Sequence, residues 1–224
     1  MLLALDTSTT QIGVALYDGA RVLAEAYWQS GRRHTQELAP LVAQVLQQTG
    51  FAIEDVQAVG VALGPGSFTG LRIGLAFAKG LAVARGLALV GVPTLEAVAA
   101  AVPLDVAFPS LAAVLPAGRG RLAVGWYTQT EGRWQAAGGP EIFTAETLAQ
   151  RIRKPTVVCG ELTADERSRL ARKYRTVRLP SPAACARRPA FLAELAWQRW
   201  QQGQTHPVAS LAPIYLHTGT PIPA

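Results

Sequence analysis

The sequence predicts an α/β protein in two parts, and three observations carry that expectation. Short apolar runs with strand character alternate with stretches of helical periodicity. The alternation occurs on both sides of a gap bracketed by Pro103 and Pro109. Half of the 224 residues are apolar and only 16% are charged, so each part can bury a core. The expected division is residues 1–103 and residues 104–224, the second part being smaller and ending in an irregular tail.

Residues 2–5 and 12–17 read as strands, and Asp18-Gly19 is a two-residue turn that leads to a third strand over Arg21–Trp28. Leu38, Leu41, Val42, Val45 and Leu46 then recur at helical spacing, which predicts an amphipathic helix over Thr35–Gln48 that ends near Gly50, with Pro40 in its first turns. A buried strand over Val56–Leu63 runs into Gly64-Pro65-Gly66-Ser67-Phe68-Thr69-Gly70. The helix that follows reaches Arg85 and stops at Gly86. A strand at 87–92 and a short helix over Thr94–Ala101, capped by Thr94, complete a βββαβαβα order. In the second part, Leu111–Leu115, Arg121–Thr128 and Val157–Cys159 read as strands, and Thr144–Ile152 and Pro189–Gln202 as helices. From His206 the chain is rich in Pro and Thr and should be irregular.

Composition excludes several classes. Asp6 interrupts the first apolar run too early for a signal-peptide core, and no run approaches the roughly 20 apolar residues of a membrane-spanning helix. A soluble cytoplasmic protein without membrane contact is expected. Cys159 and Cys185 match neither a CxxC pair nor a zinc spacing and read as reduced thiols. The histidines, His34, His206 and His217, form no HExxH, and there is no GxSxG, so neither a metal nor a nucleophile is advertised.

The net charge of +6 is uneven. Residues 1–100 carry six Lys/Arg against seven Asp/Glu, and residues 101–224 carry fifteen against eight. Between Arg151 and Arg178 the stretch containing Arg153, Lys154, Arg167, Arg169, Arg172, Lys173 and Arg175 could follow a phosphate backbone, although Arg167, Arg169, Arg172 and Arg175 also have the spacing of a solvated helical face.

Two loops invite a chemical reading. Asp6-Thr7-Ser8-Thr9-Thr10 places one carboxylate and four hydroxyls at a strand end, either an ordinary hairpin turn or a cradle for phosphate and hydrated magnesium. Gly64, Gly66, Ser67 and Thr69 lie where a strand enters a helix and could attract an anion. That loop is no P-loop, because Thr69 and Gly70 stand where Gly and Lys are required, and it is no Rossmann loop, which needs Gly in place of Thr69. The helix after it carries Gly70, Gly74, Ala78 and Ala82 at four-residue intervals, a ridge that admits a close neighbour: the protein's own sheet or a helix of a partner, with Arg72 and Lys79 at the rim.

The segments LALDTSTTQIGVAL, HTQELAPLV, GPGSFTGLRIGLAFAKGLA and LAPIYL, in that order and spacing, resemble the bacterial TsaB family, formerly YeaZ. The likeness is close over residues 1–100, weaker through the second half, and returns at Pro213–Leu216. It implies an actin-like, Hsp70-like, sugar-kinase-like (ASKHA) fold with a reduced second lobe. It also implies a non-catalytic subunit that pairs with a TsaD-type catalytic subunit and a TsaE-type ATPase in threonylcarbamoylation of adenosine 37 of tRNA. No intrinsic cofactor is implied; ATP or ADP with magnesium enters only with the complex, and tRNA is touched indirectly or weakly.

The same resemblance implies a contact surface on the first-lobe helices, which also forms a homodimer when the chain is alone. His34, Glu37, Leu38, Leu41, Gly70, Leu71, Arg72, Gly74, Leu75, Ala78 and Lys79 are its candidates. Where the catalytic relative carries a metal-binding HxxxH pair, this chain has Thr94 and Val98, neither of which replaces an imidazole. Where many relatives have a DAR-type segment, it reads Pro116-Ala117-Gly118-Arg119. The alternatives on the same fold are a small-molecule kinase or ATPase using Asp6–Thr10 and the glycine loop, and, last, a metallopeptidase-like protein.

Overall fold

The computed structural model describes residues 1–216; His217 and the last of the expected irregular tail lie outside them. In the first half, β1 (Leu2–Asp6), β2 (Gln11–Tyr17) and β3 (Val22–Gln29) are successive antiparallel strands. They are followed by α1 (His34–Thr49), β4 (Ala58–Ala62), α2 (Phe68–Arg85), β5 (Ala88–Val92) and α3 (Thr94–Ala100). Both β4 and β5 are parallel to β1, giving the order β3-β2-β1-β4-β5. Every residue of β1 and β4 is buried, which is why these strands are apolar runs without alternation: helices cover both faces.

The second half contributes β6 (Ser110–Pro116), β7 (Leu122–Thr130), β8 (Arg133–Ala136), β9 (Glu141–Phe143), α4 (Ala145–Arg151), β10 (Thr156–Gly160), α5 (Ala164–Ala171), β11 (Val177–Arg178) and α6 (Pro189–Gln201). Its sheet runs β11-β10-β6-β7-β8, with β9 beside β7. Read from the other edge, three antiparallel strands are followed by two parallel ones, the order of the first sheet over again. Two copies of one topology are therefore joined through α3.

Helix ends follow local chemistry. α1 stops on Gly50 (φ 72°) and α2 on Gly86 (φ 64°), both left-handed, where glycine carries no Cβ penalty. Thr144 and Thr163 accept from backbone N–H groups at the starts of α4 and α5. Thr94 does not cap α3 as its sequence position predicts. Its Oγ1 instead accepts from Gly64 N at 3.0 Å, while its own N–H donates to Gly64 O at 2.8 Å, so this hydroxyl fixes the glycine loop.

A second departure is α6, which its position in the chain assigns to the second half. It lies on the first sheet, across β1, β2, β4 and β5, opposite α1 and α2. Leu192, Ala193 and Ala196 join Leu2, Ala4, Ala15 and Val90 in one buried cluster. The approach is close because Gly60 has no side chain: a Cβ there would stand 2.6 Å from that of Ala196. Trp197 closes the outer edge against Tyr17, edge to face at 5.6 Å. No helix among the described residues is long and apolar enough to cross a membrane.

Ala196→Leu tests this packing. Overpacking the Gly60 contact should cost about 1–3 kcal/mol and lower the urea midpoint without changing the m-value.

Candidate functional site

Both loops singled out in the sequence meet at the C-terminal end of β1, and they meet each other. Thr7 Oγ1 donates to Gly70 O at 2.7 Å and Ser67 N donates to Ser8 O at 2.6 Å. A Cβ on Gly66 would strike Ser8 O, one on Gly70 would strike Thr7 O, and one on Gly74 would strike Thr7 Oγ1. The small-residue ridge of α2 is thus occupied by the protein's own first hairpin. Of the two readings left open by its spacing, the intramolecular one holds.

The carboxylate of Asp6 is engaged on both oxygens. Oδ1 accepts from Ser8 N at 2.9 Å and from Ser8 Oγ at 2.5 Å, and Oδ2 accepts from Arg187 Nε at 2.6 Å. Arg187 reaches in from the segment before α6. Its Nη1 donates to Glu161 Oε1, just past β10, and its Nη2 donates to Thr9 Oγ1 at 3.0 Å. Gln11 Nε2 donates to the carbonyl of Arg187 at 2.6 Å. Burial works against the charge of Arg187, but Asp6 and Glu161 outweigh it and hold the guanidinium above its ordinary pKa. Sequence reasoning missed Arg187 and Glu161, since neither stands in a motif and the loop they meet, Asp6 and Thr9, is more than 150 residues away in the chain.

These contacts decide whether the hairpin fits a magnesium–phosphate group. Thr7 and Ser8 are buried against the glycine loop and Asp6 already has a cationic partner, so the donors are committed to the protein and the residues do not fit. No group of three or more His, Cys, Asp or Glu among the described residues is arranged to hold a metal. Beside the ion triad a cleft of about 650 Å³ separates β3 from the turn between β6 and β7. Trp28, Gly118, Arg121, Glu161, Cys185 and Arg187 are among its lining residues. The Pro116–Arg119 segment leads from β6 into that turn, which has positive φ at Gly118 (74°), Arg119 (52°) and Gly120 (68°).

Cys185 lines this cleft, and Cys159, 26 residues away in the chain, places its Sγ 3.2 Å from Cys185 Sγ. The hydrogen bond from Cys159 draws the Cys185 thiol downward in pKa, aided by Arg167, and the same bond together with burial pushes Cys159 up. Both are free thiols.

The remaining candidates divide by exposure. His34, Leu38, Leu41, Gly70, Leu71, Gly74, Leu75 and Ala78 point into the chain's own core, which corrects their assignment to a contact surface. The apolar stripe that identified the helices is their inner face. His34 Nε2 is buried without a hydrogen-bond partner among the described residues. Glu37 is tied to Trp28 Nε1 and Arg33 Nε, both at 2.9 Å. Arg72 lies 3.8 Å over the Phe68 ring and donates to Tyr215 Oη at 3.1 Å, while Lys79 is half-buried at the rim. In the basic run, Arg167 donates to Pro180 O and Arg169 pairs with Glu146 and Asp165, leaving Arg172, Lys173 and Arg175 without ion pairs among the described residues.

The repeated sheet topology and the hairpin at its centre define an actin-like, sugar-kinase-like protein. ROK hexokinase from Thermus thermophilus shares that fold at a TM-score of 0.52, covering 90% of this chain and 99% of that one, and at 14% identity the likeness is one of fold alone. The family model of TsaD, tRNA N6-adenosine threonylcarbamoyltransferase, matches residues 27–192. The chain is 30% identical over 222 residues to the tRNA threonylcarbamoyladenosine biosynthesis protein TsaB of Escherichia coli (strain K12), covering 96% of this chain and 94% of that one. YeaZ from Pseudomonas aeruginosa superposes with a TM-score of 0.76 at 27% identity, covering 96% and 99% of the two chains. The chain belongs to the TsaB (YeaZ) family, within the group that the TsaD model describes. Its relatives support a role in tRNA threonylcarbamoyladenosine biosynthesis.

Two measurements probe the site. Arg187→Met strands the buried Asp6 carboxylate beside the half-buried Glu161 and should destabilise the fold by about 3–5 kcal/mol in urea. Asp6→Asn in the same chain should return part of that loss, which a double-mutant cycle reads. Cys159→Ala removes the bond that favours the Cys185 thiolate, so the pH midpoint of Cys185 alkylation should rise toward the ordinary thiol value of about 8.5.

Proposed function

We propose that the chain is a non-catalytic subunit of the tRNA adenosine-37 N6-threonylcarbamoyltransferase complex, which binds and activates a TsaD-type catalytic subunit through the outward faces of α1 and α2. The observation that carries this reading is the composition of those faces. α1 presents Ala39, Pro40 and Ala43 to solvent, and α2 presents Ala76, Gly80 and Val83, the last 71% exposed. These small residues, set among the exposed glutamines of α1 (Gln36, Gln44, Gln47 and Gln48), leave room for helices of another chain to approach at close range, and Arg72 and Lys79 supply orientation. Without that subunit the same face would pair with a second copy.

The non-catalytic part of the proposal has its own support. By the resemblance, Thr94 and Val98 correspond to the catalytic relative's histidine pair; the Thr94 hydroxyl is committed to Gly64 and Val98 is buried in an apolar cluster. The ion triad likewise opposes the kinase or ATPase reading, because the only carboxylate of the first hairpin is neutralised. On this proposal nucleotide and magnesium belong to the catalytic subunit and to a TsaE-type ATPase.

Light scattering behind size exclusion tests it, with threonylcarbamoyl transfer assayed on the same fractions. The mixture with a TsaD-type subunit should give a heterodimer, and transfer should appear only there. Ala43→Glu with Ala76→Glu should weaken the heterodimer at least about tenfold at unchanged melting temperature. Turnover of ATP by the chain alone, with no complex formed, would overturn the proposal. Gly74→Leu is unsuitable as a probe, because its side chain would strike Thr7 rather than a partner.

A further inference from the structure

The second sheet gathers cations that the fold leaves without counter-ions. Residues 151–155 lead into β10 and residues 172–176 into β11, where Thr156 and Val177 are register partners and Thr156 N donates to Thr176 O at 2.8 Å. The two approaches are therefore adjacent, and they bring Arg151, Arg153 and Lys154 beside Arg172, Lys173 and Arg175 at one end of the sheet. All are exposed except Lys173, which is half-buried. Among the described residues none of the six forms an ion pair.

The carboxylates that could have neutralised them are committed elsewhere. Glu146 and Asp165 both bind Arg169, and Glu166 accepts from Thr163 N at 2.7 Å and Thr163 Oγ1 at 2.9 Å. Helix C-termini favour cations, but that effect is confined to the last turn and accounts for Arg151 and Arg172, not for all six. Within the cluster Tyr174 is 72% exposed, its ring 5.7 Å from the Arg175 guanidinium. Like charges held together raise the energy of a fold unless something anionic meets them.

We propose that this end of the second lobe is a contact surface for the phosphodiester backbone of RNA, with Tyr174 placed to stack on an unpaired base. Clustered Lys and Arg meet a polyanion, and an exposed aromatic ring among them adds a base-stacking platform that an acidic polypeptide would not use. An anionic membrane is the poorer match, since insertion requires a broad apolar face and the cluster offers one ring. The choice of tRNA as the RNA rests on the proposed function; the charge cluster itself does not. Of the basic stretch between Arg151 and Arg178 that the sequence suggested, the surface loses Arg167 and Arg169 to internal bonds and keeps both ends, which the sheet brings together.

The experiment is fluorescence anisotropy of labelled tRNA titrated with the full chain at several KCl concentrations. Affinity should fall with salt. Arg153→Gln with Lys154→Gln should reduce the slope of log K against log salt by about 1.4–1.8, at roughly 0.7–0.9 per phosphate contact. Arg172→Gln with Lys173→Gln should act in the same direction, and Tyr174→Ala should weaken binding to a single-stranded oligonucleotide but not to a duplex. Arg21→Gln and Arg85→Gln, on the first lobe, should leave affinity unchanged. Salt-independent binding would overturn the proposal, as would unchanged affinity in both paired variants, or displacement of tRNA by polyglutamate or phosphatidylserine vesicles as effectively as by unlabelled RNA. Heterodimer formation, followed by light scattering on the same variants, keeps the two proposals apart: the patch variants should retain it, and its absence with RNA binding intact would count against the proposed function alone.

Discussion

The guanidinium of Arg187, closed between Asp6 and Glu161, is the interaction on which the placement of both lobes depends. Its three members come from the end of β1, the end of β10 and the entry to α6, so one side chain ties the centre of each sheet to the helix that covers the first. A buried cation with no water to solvate it must keep both carboxylates, and each carboxylate must keep it. The backbone on either side is held to the same spot: Gln11 takes the Arg187 carbonyl, and Pro189, two residues on, starts α6 against Gly13. α6 then has one direction open to it, across the back of the first sheet, where Gly60 leaves room for Ala196. Charge pairing sets the position, and apolar burial follows from it.

The glycine loop is best understood within that constraint. Its glycines leave space for Thr7 and Ser8, and its first residue is held by Thr94 at the start of α3, the helix that leads to the second sheet. Hydroxyls, glycines and a carboxylate at a strand end are the components from which a phosphate site is made. In this chain they bond to one another and to Arg187. What distinguishes a binding loop from a structural one is where the donors point, and these point inward.

That distinction explains which features were legible in the sequence. Strands β1 to β5 and helices α1 and α2 could be read within a few residues, because their apolar runs and spacing reflect burial directly. The same periodicity misled about contact surfaces: Leu38, Leu41, Leu71 and Leu75 are prominent because they face the core, while the exposed Ala39, Ala43, Ala76 and Gly80 leave no periodic signal. The Arg187 triad and the Cys159–Cys185 contact were invisible, since both join positions distant in the chain and neither has a spacing rule. The swing of α6 onto the first sheet was equally hidden, because amphipathicity specifies that a face is buried and not against what.

The ion triad also bears on how two outward surfaces of one chain act together. The outer faces of α1 and α2 lie on the first lobe, and the cationic end of β10 and β11 lies on the second. Were the lobes loosely hinged, a partner bound to one surface would confer little advantage on a ligand bound to the other, because the effective concentration would be spread over many orientations. A cation buried between the lobes removes that freedom before any partner arrives. A chain held in this way can contribute by geometry, keeping the outer faces of α1 and α2 and a cluster of cations that form no ion pair among the described residues at a fixed separation, and the cost of that order is met in folding rather than in binding.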